Sequence, residues 1–234
     1  MVDKLMKVLT KNALVFIAGY CDTATFVHMD ELFSAHVTGN FIIFAVAVAR
    51  GLEPQDYLKI AIFPVFLLAV IIGTLLYRLG QENKEKDNSR RLLVAMTALL
   101  VTCSLISTVF YFLRGTAELG WLDILVTVLL VLALGIQNSI HHFLPGPLTT
   151  VMTGTVMNTT ASFAEKLLLR RDPTSPDKPV KSLISPTRKM ILFALGCILS
   201  AYATFQVGLV SIVLPTLIML GVLVFETRPS PDEV

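Results

Sequence analysis

The 234-residue chain is 54% hydrophobic and only 15% charged, whereas a soluble domain usually has about a quarter of its residues charged. Charge is therefore too scarce to cover a water-facing surface. The net charge of +2 comes without a basic, aromatic-rich patch of the kind that binds nucleic acid. These totals argue against a soluble domain and a nucleic-acid-binding module, and they predict an all-α, polytopic bundle of membrane helices.

Six apolar segments are predicted to cross the membrane, because about 20 helical residues span a hydrocarbon layer about 30 Å thick. In chain order they are 12–30, 57–79, 92–113, 121–143, 188–206 and 208–226. The first segment follows three lysines but contains Asp22, and no small-residue cleavage site follows it cleanly. It is therefore predicted to be an uncleaved helix rather than a signal peptide. Charged loops are predicted at 80–91 and 166–189, and a disordered tail at 227–234.

Two further segments, 33–50 and 148–165, are shorter, more polar at their starts, and each carries a Thr-Gly pair. If both cross, the chain has eight crossings, with fourteen basic residues on the side of the N-terminus and five on the other. If both are re-entrant and return to the side they left, the chain has six crossings. Sixteen basic residues then lie on the side of the N-terminus and three on the other. The excess of Lys and Arg in cytoplasmic loops favours six crossings and a cytoplasmic N-terminus.

The chain contains an internal similarity. The stretch LVFIAGYCDT at 14–23 resembles LVLALGIQNS at 130–139. The matched positions are Gly19 with Gly135, Asp22 with Asn138, and Thr23 with Ser139. A Thr-Gly pair follows 16 residues after Asp22 and 15 residues after Asn138. This pattern predicts a duplication, with one repeat at 1–113 and the second at 121–226. Six crossings would make the two repeats inverted, as in many transporters, and eight would make them parallel.

Asp22 is the strongest single candidate for function. An ionised Asp at the centre of a membrane helix costs about 2.5–3.5 kcal/mol, so it is usually retained where it faces a polar cavity or a partner. The alternative is that the helix ends near Tyr20 and leaves Asp22 at the membrane interface. Thr38 is predicted to be the N-cap of the helix that follows, and Thr153 has the same place in the second repeat.

Small polar residues around the Thr-Gly pairs complete a predicted solute-binding set. Two helix N-termini facing each other at mid-membrane would favour an anionic or strongly dipolar solute. The alternative is close helix packing by small residues, which needs no ligand. The predicted set consists of Asp22, Thr38, Asn40, Asn138, Thr153 and Thr155.

The histidines and cysteines are not at metal-ligand spacings. His28, His36, His141 and His142 lie in or beside the repeated elements and are expected to be interfacial or pore-lining. The three cysteines, at 21, 103 and 197, lie in apolar segments and are expected to be small buried residues. The sequence therefore predicts no metal and no cofactor.

The motifs FIAGYCDTATF and FSAHVTGN, followed by GIQNSI and TTVMTGT, resemble those of the YoaK-like family of bacterial inner-membrane proteins. The resemblance covers nearly the whole chain. It implies a multi-pass protein of the bacterial inner membrane, and because the family is a domain of unknown function it supplies neither a substrate nor a reaction. The pair His141-His142 departs from that pattern, so no histidine role is carried over.

Three hypotheses follow. The first is a small-solute transporter or channel, with the lipid bilayer and an unidentified small solute as its partners. No nucleophile motif or phosphate-binding loop is present, so an enzyme is not favoured, but Asp22 and His36 could act as acid and base if they lie within hydrogen-bond reach. The third is a structural or assembly subunit. The sequence leaves open the solute, the coupling ion and whether the protein forms a homo-oligomer.

Overall fold

The computed structural model describes residues 2–82, 88–114, 120–143, 152–168 and 184–226. Over these ranges the chain forms helices and no strands, which confirms the predicted all-α class. The helices are α1 (Val2–His28), α2 (Gly39–Arg50), α3 (Asp56–Glu82), α4 (Asn88–Arg114), α5 (Trp121–Phe143), α6 (Met152–Leu168), α7 (Ile184–Val207) and α8 (Val213–Glu226). A 3-10 turn, Gly208–Ile212, joins α7 to α8.

Several predicted boundaries were wrong. The helical part of the segment predicted at 33–50 begins only at Gly39, because the residues before it form a loop that folds back on α1. The predicted loop 166–189 is shorter, since α6 continues to Leu168 and α7 begins at Ile184. Loop 80–91 is likewise shortened, by α3 reaching Glu82 and α4 starting at Asn88. The predicted tail at 227–234 lies outside the described residues.

Four described segments are long and apolar enough to cross a membrane: Asp56–Leu79, Arg90–Leu113, Trp121–Ile140 and Ile184–Phe225. The last is 42 residues long, or about 60 Å at 1.5 Å per residue, which is twice the thickness of the hydrocarbon layer. The helix is interrupted within this segment at Gly208, whose φ of 61° lies in the left-handed region that glycine adopts readily. The two crossings predicted at 188–206 and 208–226 correspond to the parts on either side of this break.

Helix α1 is not among these four segments, although 12–30 was predicted to cross. Its sequence includes Lys11, Asp22 and several threonines, which lower its hydropathy. The structure compensates by enclosure: Leu14, Ile17 and Cys21 are at most 1% exposed. A helix that other helices surround does not have to be apolar on every face.

The outer surface of the bundle is apolar. Leu67, Leu68, Ile71 and Leu75 of α3 are each roughly half exposed, and Phe112 at the end of α4 is 82% exposed. A soluble monomer rarely exposes so many large apolar side chains together, whereas lipid solvates them. The hydrophobic core lies among α1, α4, α5 and α8.

Contacts along the helices define their directions. Gly19 lies against Phe193 and His28 lies beside Gly208, so α1 and α7 run parallel. The Gln137 amide donates to the Leu14 carbonyl at 2.9 Å, and the end of α1 meets the start of α5, so these two helices run antiparallel.

Helices α3 and α5 also run parallel, because Gly135 lies against Ala69 and Gly73 against Ser139. It follows that α1 and α7 start at the end of the bundle where α3 and α5 finish. This end is called the N-terminal end below, and the other is called the far end.

Ion pairs around the buried side chains of Lys59 and Asp56 fix the chain at the far end. The Lys59 ammonium, 1% exposed, bonds Asp56 and Asp30 at 2.8 Å each. Arg50, at the end of α2, also reaches Asp56, at 3.1 Å. The loop after α1, the end of α2 and the start of α3 are thereby held together, which positions the hairpin described next.

Candidate functional site

Asp22 lies inside α1 and is 4% exposed. The helix continues to His28, six residues further on, so the carboxylate is about 9 Å from the far end of the helix at 1.5 Å per residue. The alternative in which the helix ends near Tyr20 is therefore wrong. A buried carboxylate in a helix needs partners, because an unpaired buried charge costs several kcal/mol.

The partners of Asp22 come from the loop that follows α1. The chain reverses at Asp30 and Glu31, whose φ angles are 51° and 63°. It then runs back along α1, so that the Ala35 N–H donates to Asp22 Oδ1 at 2.6 Å. The Ser34 hydroxyl can donate to the same oxygen at 3.5 Å or to the Cys21 carbonyl at 3.4 Å, and it accepts from the Thr25 hydroxyl on α1 at 3.0 Å. The carboxylate thus anchors the tip of a hairpin formed by this loop and α2.

His36 is the second partner of the carboxylate. Its Nδ1 lies 2.6 Å from Asp22 Oδ2, and 29% of its side chain is exposed. His36 lies in the loop rather than in a helix, and the buried Asp22 carboxylate is the hydrogen-bond partner of its ring. Its ring also meets the edge of Phe193 on α7, with centroids 5.8 Å apart. The pair can hold or pass a proton at a partly accessible position.

Asn40 closes the hairpin. Its Oδ1 accepts from the Phe33 N–H and its Nδ2 donates to the Phe33 carbonyl, each at 2.8 Å. The side chain is fully buried, so its bonds hold the turn together. Thr38 precedes α2 as predicted, but its hydroxyl makes no capping bond and its backbone is already helical. The prediction that Thr38 caps this helix through its side chain was therefore wrong, and the residue is exposed.

The second predicted group lies elsewhere in the bundle. Asn138 is half-buried on α5, next to Gln137, which bonds Leu14 eight residues before Asp22. This places Asn138 about 12 Å from Asp22 along α1. On α6, Thr153 is exposed and Thr155 is buried, and α6 packs against α7. Asp22 and Asn40 thus hold the same hairpin through different residues, and Thr38 lies within it, whereas Asn138 lies along α5 and α6 carries Thr153 and Thr155.

Sequence reasoning missed the role of Ser34 and a pairing at the far end. There His28 Nε2 lies 2.9 Å from Asp123 Oδ1, beside a cavity of about 270 Å³. Nothing in the sequence relates these residues, which are 95 positions apart. The three cysteines are free, with Cys21 and Cys103 buried and Cys197 half-buried. Within the described ranges no group of three His, Cys, Asp or Glu side chains could hold a metal ion.

An all-helical bundle with apolar spans and an apolar outer surface defines a membrane protein. The chain belongs to the family described as Protein of unknown function (DUF1275), which matches residues 12–225. It is 22% identical over 194 residues to the UPF0700 transmembrane protein YoaK of Bacillus subtilis (strain 168), and the matched stretch is 82% of this chain and 81% of that protein. The resemblance to the YoaK-like family is thereby confirmed. No solved structure matches the chain.

Proposed function

We propose that this protein is a small-solute transporter or channel of the bacterial inner membrane, with its N-terminus in the cytoplasm. It is built from two inverted repeats, 1–113 and 121–226, with six crossings and two re-entrant elements. The solute passes where the repeats meet, beside Asp22 and His36. The observation that carries the proposal is the Asp22 carboxylate, buried within a helix and holding the tip of a folded-back hairpin in the bundle.

Helix packing supports the inverted repeats. The first helices of the two halves, α1 and α5, are the ones whose sequences resemble each other, and they run antiparallel. Each packs in parallel on the third helix of the other half, α1 on α7 and α5 on α3. Glycines mark both crossings: Gly19 and Gly196 in one, Gly135 and Gly73 in the other. An inverted repeat produces this reciprocal pattern.

The helix directions also support six crossings. Because α3 ends at the N-terminal end of the bundle, the following loop lies on the same side as the start of α1. The hairpin of α2 enters and leaves at the far end: Phe41, near the start of α2, meets Phe63 of α3 at a centroid distance of 4.9 Å, and Arg50, at the end of α2, returns to Asp56 at the start of α3. A segment that returns to the side it left is re-entrant, and irregular backbone at that depth is tolerated where protein surrounds it.

The hairpin tip lies at the contact between the repeats. His36 belongs to the first half, and its ring contacts Phe193 of the second. A carboxylate paired with a partly exposed imidazole can bind a solute through hydrogen bonds or exchange a proton with it. Polar and ionisable groups at such a depth commonly mark substrate or proton pathways.

A membrane-embedded enzyme is the second candidate, because one observation favours it. The separation of 2.6 Å between His36 Nδ1 and Asp22 Oδ2 meets the distance that an acid–base pair requires. Chemical conversion of a solute that is supplied on one side only, without net flux, would favour the enzyme. Flux of unchanged solute would favour the transporter.

The topology can be tested by labelling single cysteines in intact cells, in a variant whose native cysteines are alanine. Six crossings with a cytoplasmic N-terminus predict that Lys84→Cys is shielded from an impermeant maleimide. Gln55→Cys, between α2 and α3, is predicted to react. Labelling of Lys84→Cys in intact cells would contradict the inverted arrangement, and permeabilised cells provide the control for reactivity.

The transport proposal can be tested in proteoliposomes. Purified protein is assayed for uptake of amino acids, sugars, short carboxylates and inorganic anions. We expect uptake of one class by the wild type and a reduction of at least tenfold in Asp22→Asn, because the amide cannot sustain the charge-assisted pairing with His36. Glu53→Gln makes the same chemical change at an exposed acid and is expected to leave uptake unchanged. Absence of flux for every class by folded wild-type protein would contradict the proposal.

A further inference from the structure

The cavity at the far end is separate from the hairpin site, since neither Asp22 nor His36 lines it. It is lined by the end of α1, by α4, by the start of α5 and by the end of α7 with the turn that follows, and it is open on one side. Its volume of about 270 Å³ falls just below the range typical of drug-sized ligands, which suits a small molecule. Apolar and aromatic side chains form most of the wall, among them Val27, Ile106, Phe110, Val126 and Leu209.

Polar side chains interrupt this wall, among them His28, Ser107, Asp123 and Thr204. Asp123 accepts a hydrogen bond from the Gly120 N–H at 2.9 Å and pairs with His28. Ser107 is 7% exposed, and its hydroxyl has no hydrogen-bond partner among the described residues. A buried hydroxyl without a partner costs about 1–3 kcal/mol. Because that oxygen has almost no accessible surface, the polar groups that an occupant of the cavity can reach are those of His28 and Asp123, whose side chains are 25% and 11% exposed.

The charge of the cavity selects the kind of occupant. Asp123 is an acid, and among the residues that the structure describes no lysine or arginine lines the cavity. With His28 neutral the cavity carries one negative charge, which favours a cation over an anion, and with His28 protonated the pair is neutral and this preference is lost. Aromatic rings in the wall, such as Phe110 and Tyr111, attract cations through their π faces.

We infer that this cavity binds a small organic amine. Its ammonium group pairs with Asp123, and its apolar body packs against the aromatic and aliphatic wall. The inference does not depend on transport, because the Asp22 hairpin takes no part in it.

The inference can be tested by calorimetric titration of the purified full-length protein in detergent with 2-phenylethylamine. The matched probes are 2-phenylethanol, which is neutral, and 3-phenylpropanoate, which is anionic. We expect the amine to bind at least tenfold more tightly than either. Asp123→Asn is expected to weaken amine binding at least tenfold. Ser107→Leu, which fills the cavity without touching the ion pair, is expected to abolish it.

Thr102→Leu makes a similar change at an exposed hydroxyl on the same helix and is expected to leave binding intact. Equal binding of the amine and the alcohol would overturn the inference in favour of an apolar occupant such as a lipid chain. Amine binding that survives in Ser107→Leu would overturn the location. If Asp123→Asn does not fold, amine binding by Ser107→Leu alone decides whether the inference holds. Neither binding result depends on the outcome of the flux assay.

Discussion

Replacement of Asp22 by alanine is expected to lower the free energy of unfolding by about 3 kcal/mol, because removing one member of a buried pair leaves the other groups without their partner. The Ala35 N–H and the His36 ring would each lose a 2.6 Å contact. For a chain of this size the loss corresponds to a fall of roughly 10 °C in melting temperature, measurable by thermal unfolding in detergent. The loss of stability should affect the whole hairpin, since Asp22 joins the hairpin to α1.

Two further variants give this experiment its controls. Asp22→Asn retains one oxygen that can accept from Ala35, so its loss of stability should be smaller than that of alanine. Glu53→Ala removes an exposed carboxylate and should change stability by less than about 0.5 kcal/mol. An Asp22→Ala protein as stable as the wild type would show that the hairpin does not need this anchor.

Replacement of Gly19 by alanine is expected to lower the free energy of unfolding by about 2–3 kcal/mol. The added Cβ would lie 2.5 Å from the Phe193 carbonyl oxygen and 3.2 Å from Cys197 Sγ. The nearest atom belongs to the backbone, so no side-chain rotation can relieve the overlap and α1 and α7 must separate. Melting temperature in detergent again provides the measurement.

The same substitution at Gly221 is the matched control. Nothing lies within 4 Å of a Cβ added there, and alanine favours a helix by about 0.5–1 kcal/mol over glycine. Gly221→Ala should therefore be neutral or slightly stabilising. Equal stability of the Gly19 and Gly221 variants would contradict the close packing of α1 on α7.

The helices and the importance of Asp22 could be predicted from the sequence for physical reasons. Long apolar runs require lipid or a core, and an acid inside such a run requires partners. What could not be predicted was which groups those partners are. The pairing of Asp22 with Ala35 and His36 depends on a chain reversal at Asp30 and Glu31, two non-glycine residues with positive φ, which sequence does not indicate.

What the remaining predicted residues do in the structure could not be predicted from the local sequence pattern either. Asn40 is a polar residue at a helix start, which is compatible with a solute ligand, yet both ends of its amide bond Phe33. The cavity beside Asp123 depends on α1, α4, α5 and α7 converging at one end, which is a property of the tertiary arrangement. Periodicity and composition describe single helices and carry little information about where several helices pack together.

The enclosure of α1 by α7 has a consequence for biogenesis. The two glycines of their crossing, Gly19 and Gly196, are 177 residues apart in the chain, and at about 5–20 residues per second a ribosome needs about 10–35 s to make that length. During this interval α1, which is not among the four segments long and apolar enough to cross a membrane, lacks the neighbour that covers it in the finished bundle. Under the six-crossing proposal, we expect the insertion machinery to hold the first helix until the last third of the polypeptide is synthesised.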